Sequence, residues 1–172
     1  MKNFDKAGFT LIELLIIMTV VIIMLGIGVP SMTDMFERRK LKNTLEVLNS
    51  EIMLIRSEAV LRNANVYMSV STSVPWCIGF TLNAAGCDCK TANACQIDSR
   101  DRIIIADDNP GISIQSTIAT ATFSPTGPVD NTGTITVNTN RDNLTANIQI
   151  NPVGRLRICT DDVPGYLADG NC

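Results

Sequence analysis

The sequence has no histidine among its 172 residues, and aromatic residues make up only 5% of it. The absence of histidine excludes a histidine general base, a histidine metal ligand and the serine–histidine–aspartate arrangement of many hydrolases. Carboxylates are present, but no nucleophile, metal motif or glycine-rich phosphate loop accompanies them. We therefore predict that the protein is not an enzyme, and we assign no catalytic residue, no metal site and no cofactor.

Hydrophobic residues, which make up 45% of the chain, are concentrated near its start. The segment from Leu14 to Val29 has no charged residue, and extended back to Phe9 it comprises 21 residues. A helix of that length measures about 31 Å, which matches a bilayer core of about 30 Å. Residues 9–30 are therefore predicted to form a transmembrane helix. A cleaved secretory signal is the alternative, but the run is too long for one and no A-x-A site follows it.

Glu13 is the acidic residue within this apolar segment. A charged side chain near the centre of a membrane-spanning helix costs about 2.5–3.5 kcal/mol, so it calls for a partner. If the chain is cut between Gly8 and Phe9, the new α-amino group lies one helical turn from Glu13 on the same face. Copies of such a helix would pair Glu13 of one subunit with the amine of the next. The alternative is that Glu13 simply reaches the membrane interface.

The segment Gly8–Leu15 (GFTLIELL) follows a short basic leader and precedes the apolar run and Pro30. It resembles the class III signal of type IV pilins and type II secretion pseudopilins. The resemblance implies cleavage after Gly8 by a prepilin peptidase, which removes residues 1–8, and N-methylation of Phe9. It also implies that Glu13 serves assembly into a helical filament with other major and minor pilins.

Pro30 should kink or interrupt the helix, because it lacks an N–H and its ring clashes with the preceding turn. We count it with Glu13 among the assembly residues. Beyond it, residues 31–62 are predicted to form an amphipathic helix whose apolar face is covered by a sheet. A coiled-coil seam is the alternative, but fewer than four heptads are sustained. The apolar stripe consists of Leu41, Leu45, Leu48, Ile52, Ile55 and Ala59.

The remainder, residues 63–172, is predicted to be a β-rich globular domain. Short runs rich in valine, isoleucine and threonine are separated by proline, glycine, asparagine and aspartate, which is typical of antiparallel strands. With the helix, they predict an α+β, pilin-like fold in which a long N-terminal helix packs on an antiparallel sheet. The predicted strands are Val66–Val70, Trp76–Leu82, Arg102–Ala106, Thr120–Phe123, Thr134–Asn138, Thr145–Ile150 and Arg155–Cys159.

The cysteines all lie in this β-rich part and are even in number, six in all. Without histidine and without a C-x-x-C pair, they make a poor zinc template, and disulfides in an oxidising compartment are favoured. Six cysteines allow 15 connectivities. We expect only Cys159–Cys172 as a specific pair, and we expect Cys87 and Cys89 not to pair with each other. The set is Cys77, Cys87, Cys89, Cys95, Cys159 and Cys172.

Two features disagree about the side of the membrane on which the body lies. Lys2 and Lys6 precede the apolar segment, whereas a basic cluster follows it from Arg38 to Lys42. By the positive-inside rule this distribution favours a cytoplasmic body. The cysteines and the leader favour a single-pass protein of the inner membrane with its leader in the cytoplasm and its body in the periplasm. We expect this second topology, followed by entry into a pilus or pseudopilus.

Three stretches of the body narrow the family: Ile55–Val60, Phe123–Gly127 and Val153–Cys159. They resemble the FimT/FimU/GspH group of minor pilins and pseudopilins. The resemblance implies a subunit that helps to initiate or cap a type IV pilus or pseudopilus. Two alternatives stay open: a GspH-like pseudopilin of type II protein secretion, and a FimT-like pilus receptor for double-stranded DNA in natural transformation. The sequence does not distinguish a pilus from a secretion pseudopilus.

The DNA-binding alternative depends on the segment Gly154–Arg157, which the FimT-like resemblance matches. In a strand, Arg155 and Arg157 project from the same face and would contact successive phosphates. Two exposed arginines on a solvated strand are the competing interpretation. From Arg141 to Cys172 there are three arginines and four aspartates, which gives a net charge of −1. DNA-binding domains normally carry a basic patch, so this hypothesis ranks second.

Overall fold

The computed structural model describes residues 9–168 and 172, and within the first helix it leaves out the side chains of residues 27–31. The chain divides into two compact units, Met1–Phe36 and Glu37–Cys172. The helix α1 comprises Leu11–Arg62. Helix is assigned at Pro30 and on both sides of it, so α1 is not interrupted there, and the kink at Pro30 stays a prediction. A proline removes one N–H donor, and the remaining bonds of the helix are sufficient to maintain it.

The first unit is the start of α1. Thr10 precedes the helix and caps it, since its Oγ1 accepts a hydrogen bond from the backbone N–H of Glu13 at 3.3 Å. The apolar side chains of residues 9–25 are largely exposed, with values between 44% at Val21 and 83% at Leu11. Among the residues described, no helix is long and apolar enough to cross a membrane. The transmembrane span predicted for residues 9–30 is therefore not confirmed.

The second unit contains two antiparallel sheets and a hairpin. One sheet has the strand order β5-β2-β1-β7-β8, the other has the order β11-β10-β9-β6, and β3 pairs with β4. A 3-10 helix, Ala106–Asp108, follows β5. The strands are β1 Val66–Ser71, β2 Cys77–Thr81, β3 Gln96–Ile97, β4 Arg100–Asp101, β5 Ile103–Ile105, β6 Ile112–Ser116, β7 Thr120–Phe123, β8 Val129–Asp130, β9 Gly133–Thr139, β10 Thr145–Ile150 and β11 Leu156–Cys159.

Each of the seven predicted strands has a counterpart in the structure, but β6 was not predicted. Its signal is the alternation of buried Ile112 and Ile114 with the more exposed Ser113 and Gln115. The two-residue strands β3, β4 and β8 were not predicted either, because two residues are too few to show the alternation of apolar and polar side chains that indicates a strand.

The apolar stripe of α1 is buried as predicted. Leu41, Leu45, Leu48, Ile55 and Ala59 are 0% exposed, and Ile52 is 2% exposed. They form one cluster with inward-facing residues of both sheets, which confirms the α+β architecture. The sheet residues of this cluster include Met68, Ile78, Phe80, Phe123, Ile135 and Ile148.

Three disulfides join the cysteines as Cys77–Cys89, Cys87–Cys95 and Cys159–Cys172. The first ties the loop before β3 to β2, and the second closes that loop on itself, with the Cys95 side chain against the outer face of β2. Gly79, in the middle of β2, makes this possible, because a Cβ atom there would collide with the Cys95 side chain. The third disulfide closes the C-terminal loop.

Arg62, the last residue of α1, joins the helix to the β3–β4 hairpin. Its Nε donates to Glu58 Oε2 at 2.6 Å, its Nη1 donates to Asp98 Oδ1 at 2.8 Å, and its Nη2 donates to Asp98 Oδ2. Asp98 and Ser99 both have positive φ, 54° and 60°, as two-residue hairpin turns require. The hydrogen bonds from Arg62 lower the pKa of the Asp98 carboxyl group.

We predict that Asp98→Asn makes the stability of the protein less dependent on pH in acid. A carboxylate whose pKa is lowered by folding contributes stability above its unfolded pKa of about 3.9, and that contribution is lost as the pH falls through the folded pKa. The difference in urea midpoint between wild type and Asp98→Asn should therefore shrink as the pH is lowered from about 6 towards 2. Asp130→Asn, at an exposed position in β8, serves as the control. A constant difference across this range would contradict the prediction.

Candidate assembly helix and arginine hairpin

The first candidate site is the start of α1. Glu13 lies in the first turn of the helix, and its side chain is exposed. The first turn favours a carboxylate, because the unpaired N–H groups of a helix start carry partial positive charge. Phe9 lies four residues before Glu13 and just outside the helix, also exposed. Gly8, the predicted cleavage position, lies outside the described residues.

The local sequence directs Glu13 towards the chain start. Thr10 and Glu13 have the T-x-x-E spacing of a capping box, and the Thr10 half of that motif is formed. Side chains on a helix tilt towards its N-terminus. A carboxylate at position 13 is therefore directed towards the end at which an α-amino group on Phe9 would be found.

The second candidate site is the β10–β11 hairpin, which carries Arg155 and Arg157. The turn is closed by Gly154 N–H donating to Asn151 O at 2.7 Å and by Asn151 N–H donating to Arg155 O at 3.1 Å. Arg157 lies within β11 opposite Gln149 of β10. Both arginine side chains are exposed, whereas Leu156 and Ile158 between and beyond them are half-buried and pack on the core.

Arg56 of α1 forms hydrogen bonds with the turn of this hairpin. Its Nη1 donates to Gly154 O at 2.7 Å and its Nη2 donates to Val153 O at 3.2 Å. Gly154 has φ +73°, and a Cβ atom there would lie 2.9 Å from Gly127 O and 3.0 Å from the Arg56 guanidinium carbon. The helix, the turn before β8 and the β10–β11 hairpin therefore meet at Gly154.

The electrostatic surroundings leave the two motif arginines available to an anion. Among the ion pairs of the described residues, none involves Arg155 or Arg157. Asp162, which follows β11, is bonded to the start of β10, since its Oδ2 accepts the Thr145 N–H at 2.7 Å. The hairpin thus exposes two guanidinium groups, one just before β11 and one within it.

The sequence identified the motif residues, but it gave no role to Arg56. Arg56 is part of the stretch Ile55–Val60, where it has the pattern of an ordinary surface residue between the buried Ile55 and Ala59. Its partners are backbone carbonyls almost a hundred residues away, with sequence separations of 98 and 97. Every residue has a backbone carbonyl, so no sequence pattern indicates which carbonyl Arg56 contacts.

Comparison with known proteins gives consistent results. A family model described as type II transport protein GspH matches residues 44–154, and the prokaryotic N-terminal methylation motif matches residues 3–29. No curated protein sequence matches the chain. Residues 44–154 cover more than half of the chain and include both the buried stripe from Leu45 onward and Gly154.

Two solved structures share the fold. The type IV minor pilin FimU of Pseudomonas aeruginosa has a TM-score of 0.55 and 19% identity, covering 71% of this chain and 90% of its own. The minor pseudopilin EpsH from the Type 2 Secretion System of Vibrio cholerae has a TM-score of 0.55 and 15% identity, covering 74% of this chain and 99% of its own. At such identities the likeness shows the fold and not a shared partner.

We predict that Gly154→Ala destabilises the protein by about 1–3 kcal/mol, because alanine is strained at positive φ and its methyl group must displace Gly127 or Arg56. Gly111→Ala is the matched control: Gly111 has a similar φ of +81°, but a Cβ atom there would approach only Lys40 Nζ, at 3.7 Å. Urea denaturation of both variants measures the difference. Equal losses of stability would show that contacts at Gly154 contribute nothing beyond backbone strain.

Proposed function

Because this chain belongs to the family of type II transport protein GspH, a family of minor pilins and pseudopilins, we propose that it assembles through its N-terminal helix into a type IV pilus or a secretion pseudopilus. The observation that carries the proposal is the methylation motif at residues 3–29, which includes the start of a long helix with exposed apolar side chains. Such side chains gain about 25 cal/mol per Å² when they are buried against neighbours. The start of the helix is therefore expected to be buried away from water, first in a bilayer and then against other helices in the filament.

The proposed sequence of events starts in the inner membrane. A prepilin peptidase cleaves after Gly8 and the new amine of Phe9 is methylated. Glu13 of the incoming subunit then pairs with the Phe9 amine of a neighbour, which neutralises both charges away from water. The leader lies in the cytoplasm and the disulfide-bonded body in the periplasm, where disulfides persist. The helix spans the membrane until the subunit enters the filament.

Within the filament, the proposed role is that of a minor subunit that helps to initiate or cap the assembly. Its partners are other major and minor pilins. One solved relative of the fold is a minor pilin and the other a minor pseudopilin. The family fits both kinds of filament, so a type IV pilus and a type II secretion pseudopilus are both retained.

We predict that Glu13→Gln is cleaved normally but enters filaments poorly. Removing one partner of an ion pair in apolar surroundings costs about 3–5 kcal/mol, so incorporation should fall by more than about tenfold. Sheared filaments from cells that carry the full set of assembly genes are probed for the subunit, and mass spectrometry determines the N-terminus. Glu46→Gln, at an exposed position of α1 in the second unit, is the control. Wild-type incorporation of Glu13→Gln, or filaments that contain the chain with residues 1–8 attached, would refute the proposal.

A second candidate function is binding of double-stranded DNA by the β10–β11 hairpin. The observation that favours it is the exposure of both Arg155 and Arg157 without an ion pair to a described residue. Two phosphate contacts give weak and salt-dependent affinity. Several copies on one filament would raise the effective affinity.

We predict that residues from about Phe36 onward retard DNA in a mobility-shift assay at low salt, and that Arg155→Gln with Arg157→Gln abolishes the shift. The reason is the loss of both guanidinium groups that would contact phosphates. The control is the double variant Lys90→Gln with Arg141→Gln, which removes the same charge from exposed positions elsewhere. An unchanged shift with the motif variant, or an equal loss with the control, would exclude specific use of this hairpin.

A further inference from the structure

A polar cleft lies where the end of α1 meets the β3–β4 hairpin. Its volume is about 280 Å³, which is below the range of about 300–1,000 Å³ that holds a drug-sized ligand. Three guanidinium groups, two carboxylates and one apolar side chain line it, so the lining has a net charge of +1. The lining residues are Glu58, Arg62, Ile97, Asp98, Arg100 and Arg102.

The two carboxylates of the cleft are bonded to one of its arginines. Arg62 Nε donates to Glu58 Oε2 at 2.6 Å, and its Nη1 and Nη2 donate to the two oxygens of Asp98. Within the described part of the chain, neither Arg100 nor Arg102 has a hydrogen bond to these carboxylates. Arg62 therefore pairs with both acidic side chains, and the other two guanidinium groups do not bond to them.

Arg102 has one edge of its guanidinium group without an acceptor. Its Nη1 donates to Glu51 Oε1 at 3.5 Å, which is at the outer limit for a hydrogen bond. Its Nε is buried and has no acceptor among the described residues. Nε and Nη2 lie on the same edge of the group, and such an edge can bind a carboxylate with two parallel hydrogen bonds. Because buried donors in proteins are normally bonded, this edge indicates an acceptor from outside the chain.

Arg100 brings a second guanidinium group to the cleft. Its side chain is exposed and has no hydrogen bond or ion pair to a described residue. Hydrogen bonds from Arg62 are the main cause of the lowered pKa of the Asp98 carboxyl group. The charges of Arg100 and Arg102 lower the same pKa further, which places both near this carboxylate. Asp101, between them in sequence, does not line the cleft and is bonded within the hairpin.

We propose that this cleft binds a carboxylate group through Arg100 and the Nε–Nη2 edge of Arg102. The planar fork of an arginine matches the two oxygens of a carboxylate. Because Nε is covered by its surroundings, the Arg102 side chain shifts when the ligand binds. The proposal does not depend on which filament the chain enters, nor on DNA binding.

The charge and the lining of the cleft select the ligand. A single carboxylate neutralises the net charge of +1, whereas a phosphate group with a charge of about −1.5 to −2 would leave excess negative charge beside Glu58 and Asp98. Ile97 is the apolar member of the lining, so there is little surface for a large hydrophobic ligand. The carboxylate belongs either to a small free acid or to an acidic side chain of another protein, and the cleft recognises the same group in both.

The test uses the full chain in detergent micelles, with its arginines labelled with nitrogen-15 so that each Nε–H gives an NMR signal. Sodium acetate is added at constant ionic strength, and sodium chloride and sodium phosphate serve as the comparison salts. Acetate should shift the signals of Arg100 and Arg102 until they saturate. Chloride should leave both signals unchanged, and phosphate should bind more weakly than acetate.

Two blocked peptides distinguish the sources of the carboxylate. They are acetyl-Gly-Glu-Gly-amide and acetyl-Gly-Gln-Gly-amide, and only the first should bind. Tighter binding of the glutamate peptide than of acetate supports the site and identifies an acidic side chain as its ligand. Equal binding supports the site and identifies a small free acid.

Arg100→Gln removes a guanidinium group that bonds to no described side chain, so the variant should fold and bind acetate at least about tenfold more weakly. Arg141→Gln, at an exposed position between β9 and β10, removes the same charge and should bind as wild type does. Arg102→Lys keeps the charge beside Glu51 but lacks the fork, so it should also lose at least about tenfold, measured at the Arg100 signal. If Arg102→Lys fails to fold in a thermal melt, Arg100→Gln decides alone.

Three results would overturn the proposal. The first is the absence of saturable shifts at Arg100 and Arg102 with both acetate and the glutamate peptide. The second is tighter binding of phosphate than of acetate, which would contradict the choice of a carboxylate. The third is acetate binding by Arg100→Gln that equals that of Arg141→Gln.

Discussion

One face of α1 packs against the inner faces of both β-sheets, and its six apolar side chains are 0–2% exposed. Full burial of a leucine or isoleucine side chain stabilises a protein by about 1.5–3 kcal/mol, so this stripe is among the largest stabilising contributions in the second unit. Because both sheets contact the same helix face, the helix sets where each sheet lies. The hairpins that carry the candidate sites are placed by this packing.

The sites themselves are fixed by polar contacts at the ends of that packed layer. Arg62 joins α1 to the turn at Asp98, and Arg56 joins it to the carbonyls of Val153 and Gly154. The hydrogen bonds of these two guanidinium groups fix the β10–β11 turn and the β3–β4 turn to the helix. Arg155 and Arg157, next to the second loop, have exposed side chains and contribute to the surface instead. Arg56 and Arg62 thus join segments of the fold, whereas Arg155 and Arg157 are exposed at the surface.

The edges of the sheets show how the cysteines influence the surface. Cys159–Cys172 ties the C-terminal segment near β11, where Leu167 pairs with the strand edge. Cys77–Cys89 ties the loop before β3 to β2, and Cys87–Cys95 closes that loop on itself. Each of these two disulfide-bonded segments is therefore fixed to a strand, one to β2 and the other to β11. Disulfides form and persist in oxidising environments.

The sequence alone determined the elements whose signals are local. The capped start of α1, the stripe from Leu41 to Ala59 and the alternating strand Thr145–Ile150 each follow from the spacing of neighbouring residues, because helix and strand periods are short. The signal at Gly8–Leu15 is local in the same way. It pointed to the family that the comparisons show.

Only the tertiary structure decided which distant groups meet. The pairing of Cys77 with Cys89 and the contact of Arg56 with Gly154 involve partners that no spacing indicates. Almost every residue has a backbone N–H and a carbonyl. Which of these groups forms a contact therefore depends on what the folded chain places beside it. The arginines at 155 and 157 could be found by reading the sequence. The contact of Arg56 with the Gly154 carbonyl could be found only after α1 and the β10–β11 hairpin were in place.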